Sequence, residues 1–194
     1  MKKCLSITFA FVTMLSAVQA QHINIGIKGG LNVYALSGNN NAKYTNKIAY
    51  NLGLLGHIHL DREFALQPEI VYSVQGAKYT SNGRNVDLQL NYVNIPILLQ
   101  YMFDNGFRLE LGPQFGILAS ARNKADNVIN DVSSNFKNVD FGLAAGISYV
   151  KPSTGFGFDI RYNRGLSNIN SSNSFNTFNR GVQLGLFYLF GHKS

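Results

Sequence analysis

Cysteine is almost missing from this 194-residue chain, and tryptophan is absent altogether. The single cysteine, Cys4, precludes an intramolecular disulfide framework and any multi-thiol metal site. Only 14% of residues are charged, against about 25% in a typical soluble domain. No stretch after residue 20 contains 18 consecutive apolar residues, which argues against a helical membrane protein. The longest uncharged run of interest, Leu88 to Phe103, is broken by Gln89, Asn91, Asn94, Pro96 and Gln100. Helical periodicity is nearly absent as well.

What is present is aromatic and glycine-rich: 14 Phe, 10 Tyr and 19 Gly, with 45% hydrophobic residues. Residues 1–20 read as a secretory signal peptide. Lys2 and Lys3 supply its positive start, Leu5 to Val18 is mostly apolar, and Val18-Gln19-Ala20 offers a small-residue cleavage site. Residues 21–194 then form one domain. Loss of Lys2 and Lys3 lowers the formal charge from +7 to +5.

Period-two alternation recurs in eight segments, near residues 23–34, 48–60, 64–76, 88–103, 107–121, 138–149, 156–166 and 181–190. In the first, Ile23, Ile25, Ile27, Leu31 and Val33 oppose Asn24, Gly26, Lys28, Gly30 and Asn32. In 88–103 the apolar parity slips between Tyr92 and Val93, which predicts a β-bulge there. Connections at 61–63, 104–106 and 151–155 are short. Those at 35–47, 77–87, 121–137 and 167–179 are long, polar and rich in Asn and Ser. The pattern predicts an all-β, eight-stranded antiparallel up-and-down barrel.

Such a barrel is either soluble, with apolar residues inside, or transmembrane, with apolar residues outside. The polar face decides. It carries many glycines, including Gly26, Gly30, Gly53, Gly112, Gly116, Gly142, Gly146, Gly181 and Gly185. It also carries a few charges of both signs. Glycine weakens a water-exposed strand, but a narrow barrel interior needs small residues beside Arg and Gln. The opposite face holds Ile, Leu, Val, Phe and Tyr with almost no charge. The transmembrane barrel is therefore favoured, with the cell outer membrane as its location. A soluble lipocalin-like lipid carrier is the other class.

Several stretches, in order along the chain, carry a family likeness. They are Gly26-Ile27-Lys28-Gly29-Gly30-Leu31-Asn32, Leu66-Gln67-Pro68-Glu69, Tyr72-Ser73-Val74-Gln75-Gly76-Ala77-Lys78, Asn91-Tyr92-Val93-Asn94-Ile95-Pro96, Gly112-Pro113-Gln114-Phe115-Gly116, Asp140-Phe141-Gly142-Leu143-Ala144-Ala145-Gly146 and Arg161-Tyr162-Asn163-Arg164-Gly165-Leu166. With them the chain resembles the PorT-like outer-membrane β-barrel family. The resemblance implies an outer-membrane barrel. It also raises a role as a component of an envelope protein-secretion and gliding machinery, which is the name-giving member's setting.

Two groups of residues are candidate sites. Lys28, Glu69, Arg108, Glu110, Asp140, Asp159 and Arg161 share the inward parity and predict an ion-pair network filling the lumen. A structural plug is preferred over a proton or ion path. His57 and His59, at i and i+2, read as polar fill rather than a metal or general-base site. The four long connections, counted with Arg180 just after the last, hold eight basic and three acidic residues. Lys43, Lys47, Arg84, Arg122 and Lys124 accordingly predict a basic loop surface facing lipopolysaccharide phosphates or a partner. No nucleophile elbow, phosphate loop or metal motif occurs, so neither an enzyme nor a cofactor is expected. The expected role is structural, adhesive or assembly-partner. The expected surroundings are outer-membrane lipid, lipopolysaccharide and envelope proteins. Nucleic acid is not expected, and the barrel is read as monomeric.

Overall fold

The computed structural model describes residues 23–39, 44–81, 83–126, 128–172 and 175–191. The predicted signal peptide, Cys4, His22, Lys43 and His192 lie outside them. The strands are β1 (Ile23–Gly38), β2 (Lys47–His59), β3 (Phe64–Ser81), β4 (Arg84–Met102), β5 (Phe107–Ala125), β6 (Val128–Asp131), β7 (Val139–Val150), β8 (Phe156–Gly165) and β9 (Thr177–Leu189). Eight of them form a ring in which every neighbour is antiparallel: β1-β2-β3-β4-β5-β7-β8-β9 and back to β1. The short β6 is a side strand on the end of β5. Closure pairs every edge of the ring, as hydrocarbon requires of any sheet that crosses it.

Alternation sets which side of the wall each residue faces. Ile25, Leu31, Ile48, Leu52, Leu54, Ile70, Leu111, Ile160 and Leu186 are exposed on the outside. Lys28, Asn32, Gln67, Glu69, Gln100, Glu110, Asp159 and Arg161 are buried inside. The soluble-carrier alternative fails on this point, because the aliphatic rows point away from the lumen. Aromatic pairs line the tight-turn end of the outer face: Phe64–Tyr101, Phe107–Tyr149, Tyr149–Phe158 and Tyr188–Phe190. A second set, Tyr50–Tyr72 and Phe115–Phe141, stands higher. From Phe107 to Ile117, rise at ~3.4 Å per residue with a tilt of ~40° gives ~26 Å, matching the apolar band of an outer-membrane barrel. The tight turns mark the periplasmic end, where β1 begins and β9 ends.

Two expectations about the strands need correction. Residues 77–87 and 121–125, read as loop, are mostly strand. β3 and β4 pair up to Ser81↔Arg84, well beyond the apolar band. Polar pairs such as Lys78↔Asp87 hide this extension, because neither side of a sheet above the membrane has to be apolar. The bulge is real but sits in the other strand. Register shifts between Asn91↔Ser120 and Tyr92↔Leu118, leaving Ala119 of β5 as the extra residue. β4 keeps its parity throughout, so Leu88, Leu90 and Tyr92 remain inside.

Three of the four prolines fall together. The ladders of β2–β3, β3–β4 and β4–β5 each skip pairs near Pro68, Pro96 and Pro113. A proline has no N–H to give a ladder, so grouping all three confines the lost bonds to one patch of wall.

Candidate functional site

The lumen is stacked in layers. Leu55, Val150, Phe187 and Leu189 form an apolar cluster at the periplasmic end. Above it lies the charged layer. Arg161, on β8, is 1% exposed and acts as its hub. Its Nη1 and Nη2 donate to the two oxygens of Glu69, each at 3.0 Å, and its Nε donates to Glu110 Oε1 at 2.9 Å. This fork-to-carboxylate geometry is the strong, direction-specific form of ion pair. Lys28 Nζ lies 3.3 Å from Glu69 Oε2 and 3.2 Å from Asp159 Oδ2. Gln67 Nε2 donates to Glu69 Oε1 at 2.7 Å. Gln100 Nε2 donates to Glu110 Oε2 and Gln67 Oε1, both at 3.0 Å.

Five strands supply this layer: β1, β3, β5 and β8 give the ions, and β4 gives Gln100. It ties opposite walls of the barrel together. The space comes from glycine. A Cβ on Gly185 would meet Asp159 Oδ2 at 2.4 Å, and one on Gly30 would meet the Leu184 carbonyl at 1.9 Å.

Five of the seven predicted lumen charges are thus in one network: Lys28, Glu69, Glu110, Asp159 and Arg161. The other two are not. Arg108 has no ion pair among the described residues, and its Nη1 lies 3.4 Å from His57 Nδ1. His57 in turn packs edge-on to His59 with ring centroids 4.5 Å apart. Asp140 sits higher in the lumen. Ser167 Oγ donates to its Oδ1 at 2.7 Å, and Asn179 Nδ2 donates to its Oδ2 at 2.8 Å. Shared parity put both residues inside. Height along the barrel, which parity does not encode, keeps them from the hub.

Above the ions comes a neutral polar layer. Asn32 bridges Ser73 Oγ and the carbonyls of Tyr50 and Val74, and Asn51 donates to Asn32. The outer mouth is apolar again. Leu36, Ala77, Leu88, Leu90, Tyr92, Ala121 and Ile169 form a buried cluster, with Tyr44, Tyr79, Val132 and Phe136 packed on it. This second apolar layer is absent from the sequence reading. Its signal is present in the even parity of Leu88, Leu90 and Tyr92.

Two residues of the predicted basic loop surface, Lys47 and Arg84, are ion-paired. Lys47 is 7% exposed and ion-paired with Asp87. Arg84 Nε lies 3.3 Å from Asp126 Oδ2. Arg122 and Lys124 are exposed on β5. Arg122 stands opposite Asp131 of β6. Ser133 N–H donates to Asp131 at 2.9 Å, which holds that carboxyl below its ordinary range. Burial of Lys47 follows from β2 starting at that residue and from Asp87 being strand rather than loop. No group of three or more His, Cys, Asp or Glu among the described residues could hold a metal ion.

No curated protein matches the sequence. Among solved structures, Neisserial surface protein A aligns with 84% of this chain and 96% of its own, at 11% identity and TM-score 0.56. OprG from Pseudomonas aeruginosa aligns with 86% of this chain and 95% of its own, at 15% identity and TM-score 0.49. Ail, the attachment invasion locus protein of Yersinia pestis, aligns with 85% and 98%, at 12% identity and TM-score 0.46. The first of these shows a shared fold. Residues 19–171 match the family described as outer membrane protein beta-barrel domain. With most of its length inside that match and its apolar rows turned to lipid, this chain belongs to the outer membrane protein beta-barrel domain family and resides in the outer membrane.

Proposed function

We propose that this protein is a non-enzymatic, monomeric outer-membrane barrel that serves as a closed anchor. In this reading it holds an extracellular rim in place for a structural, adhesive or assembly role. The carrying observation is the lumen. Arg161, Lys28, Glu69, Glu110 and Asp159 join across it, between apolar clusters at both ends. Eight strands leave just enough interior for side chains, and here side chains fill it. The test is conductance after reconstitution in planar bilayers. The expected record has no large, sustained open-channel steps. A large stable pore would overturn the reading.

Membrane lipid and lipopolysaccharide are the proposed surroundings of Arg122 and Lys124, which stand above the apolar band on the lipid-facing side. Replacing both with Ser is expected to weaken lipopolysaccharide co-purification. Unchanged co-purification would remove this contact. The narrower role in an envelope secretion machinery draws its support from the PorT-like stretches. In vivo crosslinking followed by mass spectrometry separates the two: large envelope partners favour the machinery, and none favours the stand-alone anchor.

A further inference from the structure

The outer mouth of the barrel contains a blind cavity of about 320 Å³. Side chains from β1, β3, β4, β5 and β9 line it, together with the segments that follow β6 and precede β9. Leu36 and Leu88 form its floor and belong to the buried apolar cluster beneath. The space therefore leads outward and not through the barrel. Its size lies at the lower end of small-ligand sites.

We propose that this cavity binds a neutral mono- or disaccharide unit. Three features of the lining point there. None of the thirteen described residues of the lining is charged. A phosphate, sulfate, uronate or ammonium group buried here would lose water without gaining a counter-ion. Aromatic rings supply flat apolar walls: Tyr44 and Tyr79 meet edge-on with centroids 5.8 Å apart, and Phe136 and Phe175 join the lining. The negative face of such a ring suits the C–H face of a pyranose. The remaining walls are neutral hydrogen-bonding groups, among them Asn123, Asn170 and Thr177.

Asn123 carries the argument furthest. Its Nδ2 donates to the Tyr79 hydroxyl at 3.2 Å. Its Oδ1 is buried, with no hydrogen-bond partner among the described residues. A buried acceptor without a partner is costly, and a small turn of the Asn123 amide toward the cavity would let a sugar hydroxyl meet it. A pure hydrocarbon would leave that oxygen unmet. A sugar ring matches both halves of the lining, with C–H groups on one face and hydroxyls at the edge.

The test is saturation-transfer difference NMR on the full-length protein in lipid nanodiscs. The probes are methyl glycosides of neutral hexoses, neutral disaccharides, short oligosaccharides ending in the same units, and toluene as an apolar control. Free sugars and oligosaccharide ends separate a soluble ligand from the tip of a longer glycan. Transfer to the ring protons of at least one neutral saccharide is expected. Asn123→Leu, which removes the open acceptor, and Val132→Phe, which fills the cavity, should each weaken it by about tenfold or more. Lys151→Ala, in a periplasmic turn, should leave it unchanged. Heat-modifiable gel mobility checks that each variant is folded. If one variant fails to fold, the other still decides. No transfer to any neutral saccharide would overturn the proposal. So would transfer that survives both variants, or a preference for toluene. None of these outcomes bears on the closed lumen, which conductance tests separately.

Discussion

Removing the Arg161 side chain is the sharpest perturbation of the lumen. In the charged layer, Lys28 and Arg161 face Glu69, Glu110 and Asp159. Two positive charges thus meet three negative ones. Arg161→Met leaves one cation for three buried carboxylates and breaks three hydrogen bonds of 2.9 to 3.0 Å. Truncating one partner of a buried pair costs ~3–5 kcal/mol, because the charge left behind has no water. The loss should appear as a lower urea midpoint in phospholipid vesicles. Far-UV circular dichroism and gel mobility are suitable readouts, since the chain has no Trp to serve as a fluorophore. The triple variant Arg161→Met, Glu69→Gln, Glu110→Gln keeps only the Lys28–Asp159 pair in that layer and so leaves it with one charge of each sign. It should be more stable than the single variant. An Arg161→Met protein within ~0.5 kcal/mol of the parent, the range of ordinary surface changes, would refute the reasoning. A triple variant less stable than the single would refute it too.

Three further outcomes are expected. Gly185→Val forces a side chain against the Asp159 carboxylate and should destabilise the barrel by ~1–3 kcal/mol. Gly29→Ala, whose Cβ would have no neighbour nearer than 3.4 Å, should be nearly silent in the same urea titration. Leu52→Arg puts a guanidinium on a lipid-facing site that is 65% exposed. It should cost ~2–4 kcal/mol, seen as reduced folded yield in vesicles.

Much of this architecture was legible in the sequence because a barrel wall has a simple rule. Residues 23–34, 107–117 and 181–190 alternate strictly, and their glycines mark the crowded side. The extracellular extensions were hidden for a physical reason. Above the membrane neither face must be greasy, so Lys78, Asp87 and Lys124 look like loop while pairing as strand. The same cause disguises Lys47 as surface charge, since its partner Asp87 looks like loop in the sequence. Parity placed all seven lumen charges inside. It carried no information on height, so Arg108 and Asp140 could not be separated from the Arg161 hub. The apolar mouth is masked because Leu88, Leu90 and Tyr92 have the parity opposite to Val93, Ile95 and Ile97, which mimics a slip in β4, while the extra residue is Ala119 in the next strand.

The central claim is that fatty side chains clothe the outside and that polar and charged ones fill the inside. Nitroxide scanning along β2 tests it most directly, with Cys4 first replaced so that each label is unique. Tyr50, Leu52 and Leu54 should be readily relaxed by oxygen dissolved in the bilayer, and Asn51, Gly53 and Leu55 should be shielded, in strict alternation. Equal access at all six sites, or the reverse alternation, would contradict the account.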